Sequence, residues 1–212
     1  MSSSSFLCVA CLCFIIVTGA CDPKNSNDVN PFASQPSSTF QIPDYDEGDA
    51  TFSASGTNIT ISGIITSASP DSFNALLALN SGVNTIILQN VGGTKDADAS
   101  FAIGRTIRSN AFSTTIPAGG LVASGGTDIF LSGTIRTLES GGYIGVHSWE
   151  SGLYVGSELP TTSDLHQPFI TYYTEMGISS DFYWFAVNAA APDSVHWMTN
   201  AQINQYGMTK AN

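Results

Sequence analysis

The sequence predicts an α/β fold: repeated β-α-β units followed by a mostly helical C-terminal third. Three observations carry this. Between Thr51 and Trp149, strand-like apolar runs alternate several times with runs of helical period. Glycine pairs and prolines punctuate the junctions. From Leu165 onward the large side chains recur at helical rather than strand spacing.

Each element follows in order. "TFSASGTNITISGIIT", from Thr51, alternates and carries Ile61, Ile64 and Ile65, with "SGTN" as a turn. Ser69 and Pro70 offer an N-cap and a first helical position ahead of Phe73, Leu76 and Leu77, in a helix ending near Gly82. A strand "NTIILQN" follows, bounded by "VGG", and then a helix from about Asp96 to Arg108 with Ala99, Ile103 and Ile107 on one face. "FSTTIPAGGLVA" reads as a strand, "GTDIFLSGT" as a short apolar helix and "GGYIGVHSW" as another strand. In "LHQPFITYYTEMG", Phe169, Tyr172, Tyr173 and Met176 share one helical face, with Gly177 as the stop. "SSDFYWFAVNAA" is a second such helix. Thr199 to Gln202, "TNAQ", has the spacing of a capping box, and Gly207 closes that last helix.

The chain of 212 residues, 42% hydrophobic and 11% charged, fits one domain with a sizeable core plus a leader. Its net charge of −11 would repel a phosphate backbone, which excludes nucleic acid as a partner. Residues 1–20 hold an apolar run from Phe6 to Val17, short for a membrane span but suited to a signal peptide. Thr18, Gly19 and Ala20 directly before Cys21 resemble a bacterial lipoprotein leader, which implies cleavage before Cys21 and its lipidation. Thr18 replaces the usual Leu, and the leader has no Lys or Arg. Cys8, Cys11 and Cys13 lie in the leader, so the mature chain keeps one cysteine and no internal disulfide. Residues 21–50, rich in Asn, Ser, Pro and Asp, read as a disordered tether, and residues 51–212 as the folded domain. The expected location is the cell envelope, as a periplasm-facing lipoprotein held on a membrane surface, or outside the cell.

A serine nucleophile needs a base, a group that orients the base, and N–H donors for the oxyanion. Ser124, in "VASGGTD", ends a strand and begins a helix, which puts it at the carboxyl edge of a parallel sheet. Gly125 after it, and the earlier pair Gly92 and Gly93 at another strand end, offer unshielded N–H groups. His147 closes the strand that follows the Ser124 helix and can return to the same edge. His166 and His196 lie in or beside helices and carry less weight.

The order of "TIILQNVGG", "TTIPAGGLVASGGTDIFLSGTIR", "YIGVHSW" and "HWMTNAQINQYGM" resembles the proteolytic-subunit family of Clp proteases, in the ClpP/crotonase superfamily, and its exported bacterial relatives. The similarity covers roughly Asn58 to Met208. It implies a ClpP/crotonase-like fold and a serine peptidase, with Ser124 as nucleophile, His147 as base, and the N–H groups of Gly93 and Gly125 as oxyanion donors. The family's acid falls where this chain has Val195. Asp193, two residues back, is the first substitute; Glu150, Asp164 or an acid-free Ser-His pair are the others.

The implied function is an exported serine hydrolase acting on peptide or protein substrates. Two readings compete. A crotonase-type enzyme would hold a thioester enolate with the Gly93 and Gly125 donors, but coenzyme A phosphates suit an acidic exported chain poorly. A non-catalytic envelope binding or scaffold protein would explain Val195. No cofactor is expected: no Cys/His/Asp cluster has metal spacing, and no glycine-rich phosphate loop precedes a lysine. Asp128 reads as an acid favouring the helix dipole. Trp149, Trp184 and Trp197 read as packing. "DFYWF" is too apolar to stand exposed, which suggests self-association into a homo-oligomer.

Overall fold

The computed structural model describes residues 48–211. The leader, Cys21 and the tether as far as residue 47 lie outside the described residues. The alternating run at the start of the domain forms a hairpin, β1 (Thr51–Ser55) paired antiparallel with β2 (Asn58–Ser62). Ile59 and Ile61 point to the core from β2 and are fully buried. Gly48 and Ala50 exchange backbone hydrogen bonds with Ile64, so pairing begins just ahead of Thr51.

Helix α1 (Ser69–Leu79) starts with Ala68 at the cap position, one residue earlier than expected, and stops at Leu79, before Gly82. Ser69 lies inside the helix and its Oγ accepts from the Thr66 N–H. β3 (Thr85–Val91) runs parallel to β2. The Asp96 carboxylate caps α2 (Ala97–Ser109) by accepting from Asp98 and Ala99 N–H groups, and Ala99, Ile103 and Ile107 are buried beneath it.

"FSTTIPAGGLVA" is two strands rather than one. Pro117 has no N–H for a ladder and Gly119 takes φ +74°, so the chain breaks between β4 (Ser113–Ile116) and β5 (Leu121–Ala123). β4 pairs with the first half of β3 and β5 with its last residues. After α3 (Gly125–Leu131), a short β6 (Arg136–Leu138) that the periodicity does not suggest pairs with β4. β7 (Tyr143–Val146) runs parallel to β5. A separate small hairpin joins β8 (Glu150–Ser151) to β9 (Tyr154–Val155).

The last third is helical, with α4 (Gln167–Glu175), α5 (Ser180–Ala189) and α6 (Asn200–Gln205). One exception is β10 (His196–Trp197), antiparallel to β7, so His196 stands on a strand rather than a helix. The capping box of Thr199 and Gln202 is formed, and Gly177 and Gly207 take positive φ just past their helices. The main sheet runs β1-β2-β3-β5-β7-β10, with β4 and β6 branching beside β3. Among the described residues no helix is long and apolar enough to cross a membrane.

The helices of the last third close over the sheet through aromatic packing. Phe101 stacks on Tyr172 at 4.4 Å and Trp149 on Phe169 at 5.3 Å. "DFYWF" lies in α5, where Phe182 and Tyr183 are buried and Phe185 stacks on Tyr206. Trp184 and Phe185 of the same segment are half-buried.

Candidate active site

β3, β5 and β7 are parallel neighbours, so their carboxyl ends share one edge of the sheet. Gly93 follows β3, Ser124 follows β5 and His147 follows β7. A Cβ built on Gly93 would lie 3.6 Å from Ser124 Cβ, which places that backbone directly against the serine.

Ser124 has φ 51° and ψ −123°, a conformation that L residues rarely adopt. Such strain costs about 1–3 kcal/mol and persists only where the surroundings impose it. Here they do. The Ser124 N–H donates to the Gly145 carbonyl, and the Ser124 carbonyl accepts from Thr127 and Asp128 N–H groups. Thr127 Oγ1 donates to the same Gly145 carbonyl at 2.8 Å. The glycines after Ser124 allow α3 to begin this close to the sheet. A Cβ on Gly125 would meet Ser100 Oγ and Thr94 at 2.6 Å, and one on Gly126 would meet the Val91 carbonyl oxygen at 2.1 Å. The N–H of Gly125 is at the first position of the helix, outside its hydrogen-bond ladder. The N–H of Gly93 donates to no acceptor among the described residues.

His147 is half-buried, and its Nδ1 lies 2.7 Å from the Ser148 carbonyl oxygen. A carbonyl only accepts, so Nδ1 carries the proton and Nε2 is left as the basic nitrogen. Ser124 and His147 border the same cavity of about 590 Å³. Ser124 Oγ makes no hydrogen bond among the described residues, so the serine-histidine bond is unformed at rest. Catalytic hydrogen bonds commonly tighten only when substrate is bound.

None of the candidate acids hydrogen-bonds His147 among the described residues. Asp193 is exposed and bonds to nothing on the histidine. Val195 packs its side chain against Gly145 of β7. Glu150 stands exposed on the cavity rim, and Asp164 is exposed in the short 3₁₀ turn Asp164–His166. No carboxylate forms an ion pair with His147 among the described residues. The other histidines are occupied elsewhere: buried His166 bonds the Tyr183 hydroxyl and the Pro160 carbonyl, and His196 bonds Gln202.

Sequence reasoning alone misses Asp128 as a member of the site. It lies one turn into α3, only 5% exposed, and lines the cavity beside Ser124 and His147. The Tyr173 hydroxyl donates to its Oδ1 at 2.6 Å, and the Tyr172 hydroxyl donates to its backbone carbonyl at 2.8 Å. Burial pushes its pKa up from 3.8 to about 7, partly offset by the Tyr173 hydrogen bond. An acid inside the otherwise apolar "GGTDIFL" is the available signal, because a seven-residue helix starting at a sheet edge has little room for a solvated face.

No family model and no curated protein matches this sequence. Among solved structures, a 1510-N membrane-bound stomatin-specific protease, in a mutant form, is 21% identical with TM-score 0.50, over 72% of this chain and 75% of that one. A ClpP1 mutant from Listeria monocytogenes is 16% identical with TM-score 0.47, over 73% of this chain and 89% of that one. A probable enoyl-CoA hydratase, EchA3, from Mycobacterium tuberculosis is 11% identical with TM-score 0.47, over 76% of this chain and 72% of that one. The likeness to the stomatin-specific protease is one of fold, and the chain has the α/β fold of the ClpP/crotonase type.

Proposed function

We propose that this ClpP/crotonase-type chain is a serine peptidase in which Ser124 is the nucleophile and His147 the base. One observation carries the reading. A strained serine at the carboxyl edge of the sheet shares a cavity with a histidine whose Nδ1 is engaged and whose Nε2 is free to accept. As Ser124 Oγ attacks a peptide carbonyl, His147 Nε2 takes its proton, and the N–H groups of Gly93 and Gly125 receive the oxyanion. His147 then protonates the leaving amine. Water, deprotonated by the same nitrogen, attacks the acyl-enzyme and frees Ser124.

The third member of the constellation is a backbone group. The Ser148 carbonyl holds the imidazole in the tautomer the reaction needs, the role a carboxylate fills in a Ser-His-Asp triad. It carries a dipole rather than a charge, so this is a dyad with a weaker orienting partner. Export to the cell envelope belongs to the same proposal, supported by the apolar run Phe6–Val17 and the small residues before Cys21.

The test is covalent labelling by a fluorophosphonate serine probe. The wild-type protein takes up one label, on Ser124, and Ser124→Ala takes up none. Absence of label on folded wild-type protein overturns the proposal in favour of a binding or scaffold role.

A further inference from the structure

The cavity at Ser124 is acidic. Asp96, Asp98, Asp128 and Glu150 border it, and no Lys or Arg does among the described residues. The cations that could neutralise it are engaged elsewhere. Lys95 pairs with Asp49 and Arg105 with Glu175, while Arg108 and Arg136 donate to backbone carbonyls. Phe101, Trp149 and Phe169 also line the cavity, the last two stacked on each other. Aromatic faces favour a cation over an anion, and so do the carboxylates.

Within this cavity Asp128 is the carboxylate best placed to read a side chain. Its N–H donates to the Ser124 carbonyl at 3.1 Å, so its backbone lies one helical turn from that of the nucleophile. A recess of about 40 Å³ runs between Ser124, His147, Asp128 and Tyr173. That is room for a group the size of an ammonium, since one water needs about 10–15 Å³ on such a measure. Only Oδ1 of Asp128 is hydrogen-bonded, to Tyr173. Oδ2 has no partner among the described residues, yet it is not among the sealed polar atoms, so it remains reachable.

We propose that the site selects peptides with a lysine at the residue whose carbonyl Ser124 attacks, its ammonium seated against Asp128 Oδ2 at the base of the recess. This rests on the peptidase reading. The four methylenes of the lysine run along Trp149 and Phe169, which border both the cavity and the recess, and the charge meets a carboxylate already held by Tyr173. A glutamate there would face like charge, and a norleucine would leave the carboxylate without a partner.

The test compares lysyl and norleucyl diphenyl phosphonates of otherwise identical peptide structure. In each, a bond forms between Ser124 Oγ and phosphorus, phenoxide leaves, and the serine proton passes through His147 to phenoxide. The lysyl reagent is expected to label Ser124 about ten to a hundredfold faster, the range of a charge-assisted hydrogen bond. In Asp128→Asn the ratio falls to within about threefold. The Asn carbonyl can still accept from Tyr173; where this variant fails to fold, the wild-type ratio decides alone. Equal rates in wild type overturn the proposal. Should neither reagent label Ser124, the peptidase reading is what has failed. The recess is then read by titrating Ser124→Ala protein with Nα-acetyl-lysine methylamide and its norleucine counterpart. At least tenfold tighter lysine binding supports the proposal, and equal affinity overturns it.

Discussion

Asp128→Asn tests whether the carboxyl group in the recess is as buried as the structure places it. In the unfolded chain this group ionises near 3.8, and in the folded protein near 7. Between those values the native state keeps a proton that the unfolded state has lost. The native state binds more protons there, so stability falls as pH rises through the window. A rise of roughly three in pKa, at about 1.4 kcal/mol each, corresponds to about 4 kcal/mol across the full window. Asparagine has the same shape, can accept the Tyr173 hydrogen bond and does not ionise. The groups facing residue 128 are common to both proteins: Tyr172 and Tyr173 on α4, His147 after β7, Asp96 and Asp98 at the start of α2, and Glu150 on β8. Their own titrations cancel to first order in the difference. Urea unfolding of both proteins, followed by tryptophan fluorescence from pH 4 to 8, gives that difference directly. The Asn variant is expected to gain about 4 kcal/mol relative to wild type between the two ends, most of it between pH 4 and 7. A difference that stays flat over this range refutes the burial argument.

Two further substitutions probe the frame around the serine. Gly126→Ala sets a methyl 2.1 Å from the Val91 carbonyl oxygen, against backbone that cannot turn aside. It is expected to cost about 1–3 kcal/mol, a fall in Tm of several degrees for a chain of this size, and an unchanged Tm would refute the close seating of α3 on β3. Asp193→Ala separates the position suggested by the family resemblance from the one the geometry supports. An orienting acid is worth about four orders of magnitude in a trypsin-like triad. Because His147 Nδ1 is bonded to Ser148 and Asp193 is exposed, Ser124 labelling in Asp193→Ala is expected within about twofold of wild type. A loss above a hundredfold would restore Asp193 to the mechanism.

The legible parts of the sequence are those where one period runs long enough. α2 and α4 each bury a face spaced at three and four residues, and the caps and stops at Gly177, Thr199 and Gly207 follow from local chemistry. What the periodicity misses is short and held by tertiary pairing. β6 and β10 have three and two residues, and each exists because a neighbouring strand offers an open ladder. The strand-helix corner at Ser124 is legible in "VASGG", because two glycines directly after an apolar run let a helix start hard against the strand ends, with the serine at the bend. The burial of Asp128 leaves only its apolar setting in "GGTDIFL" as a signal, since an acid in the first turn favours the helix dipole whether it is solvated or enclosed. That burial comes from α4, whose two tyrosines close over it from about 45 residues further along the chain.

The acid that the family resemblance implies poses the same kind of difficulty, because the partner found on His147 is the Ser148 carbonyl. The family resemblance places a carboxylate at a fixed offset from "HWM", but a backbone acceptor has no side-chain signature. The Ser148 carbonyl can act as one because its residue is clamped. Ser148 is fully buried, its N–H donates to the Ala190 carbonyl, and its Oγ accepts from the Ser157 N–H. These bonds tie the end of β7 to α5 and to the turn after β9, so the imidazole is oriented by the fold rather than by a charge. A carbonyl dipole supports an imidazolium less than a carboxylate does, and the remaining stabilisation must come from further away. Under the proposed mechanism Asp96, Asp98 and Glu150, around a cavity that no lysine or arginine borders among the described residues, would supply it, joined by Asp128 once that group ionises near 7. The acidity that would draw a lysine side chain toward Asp128 is thus the same acidity that would favour protonated His147 during attack, and a neutral cavity would weaken both.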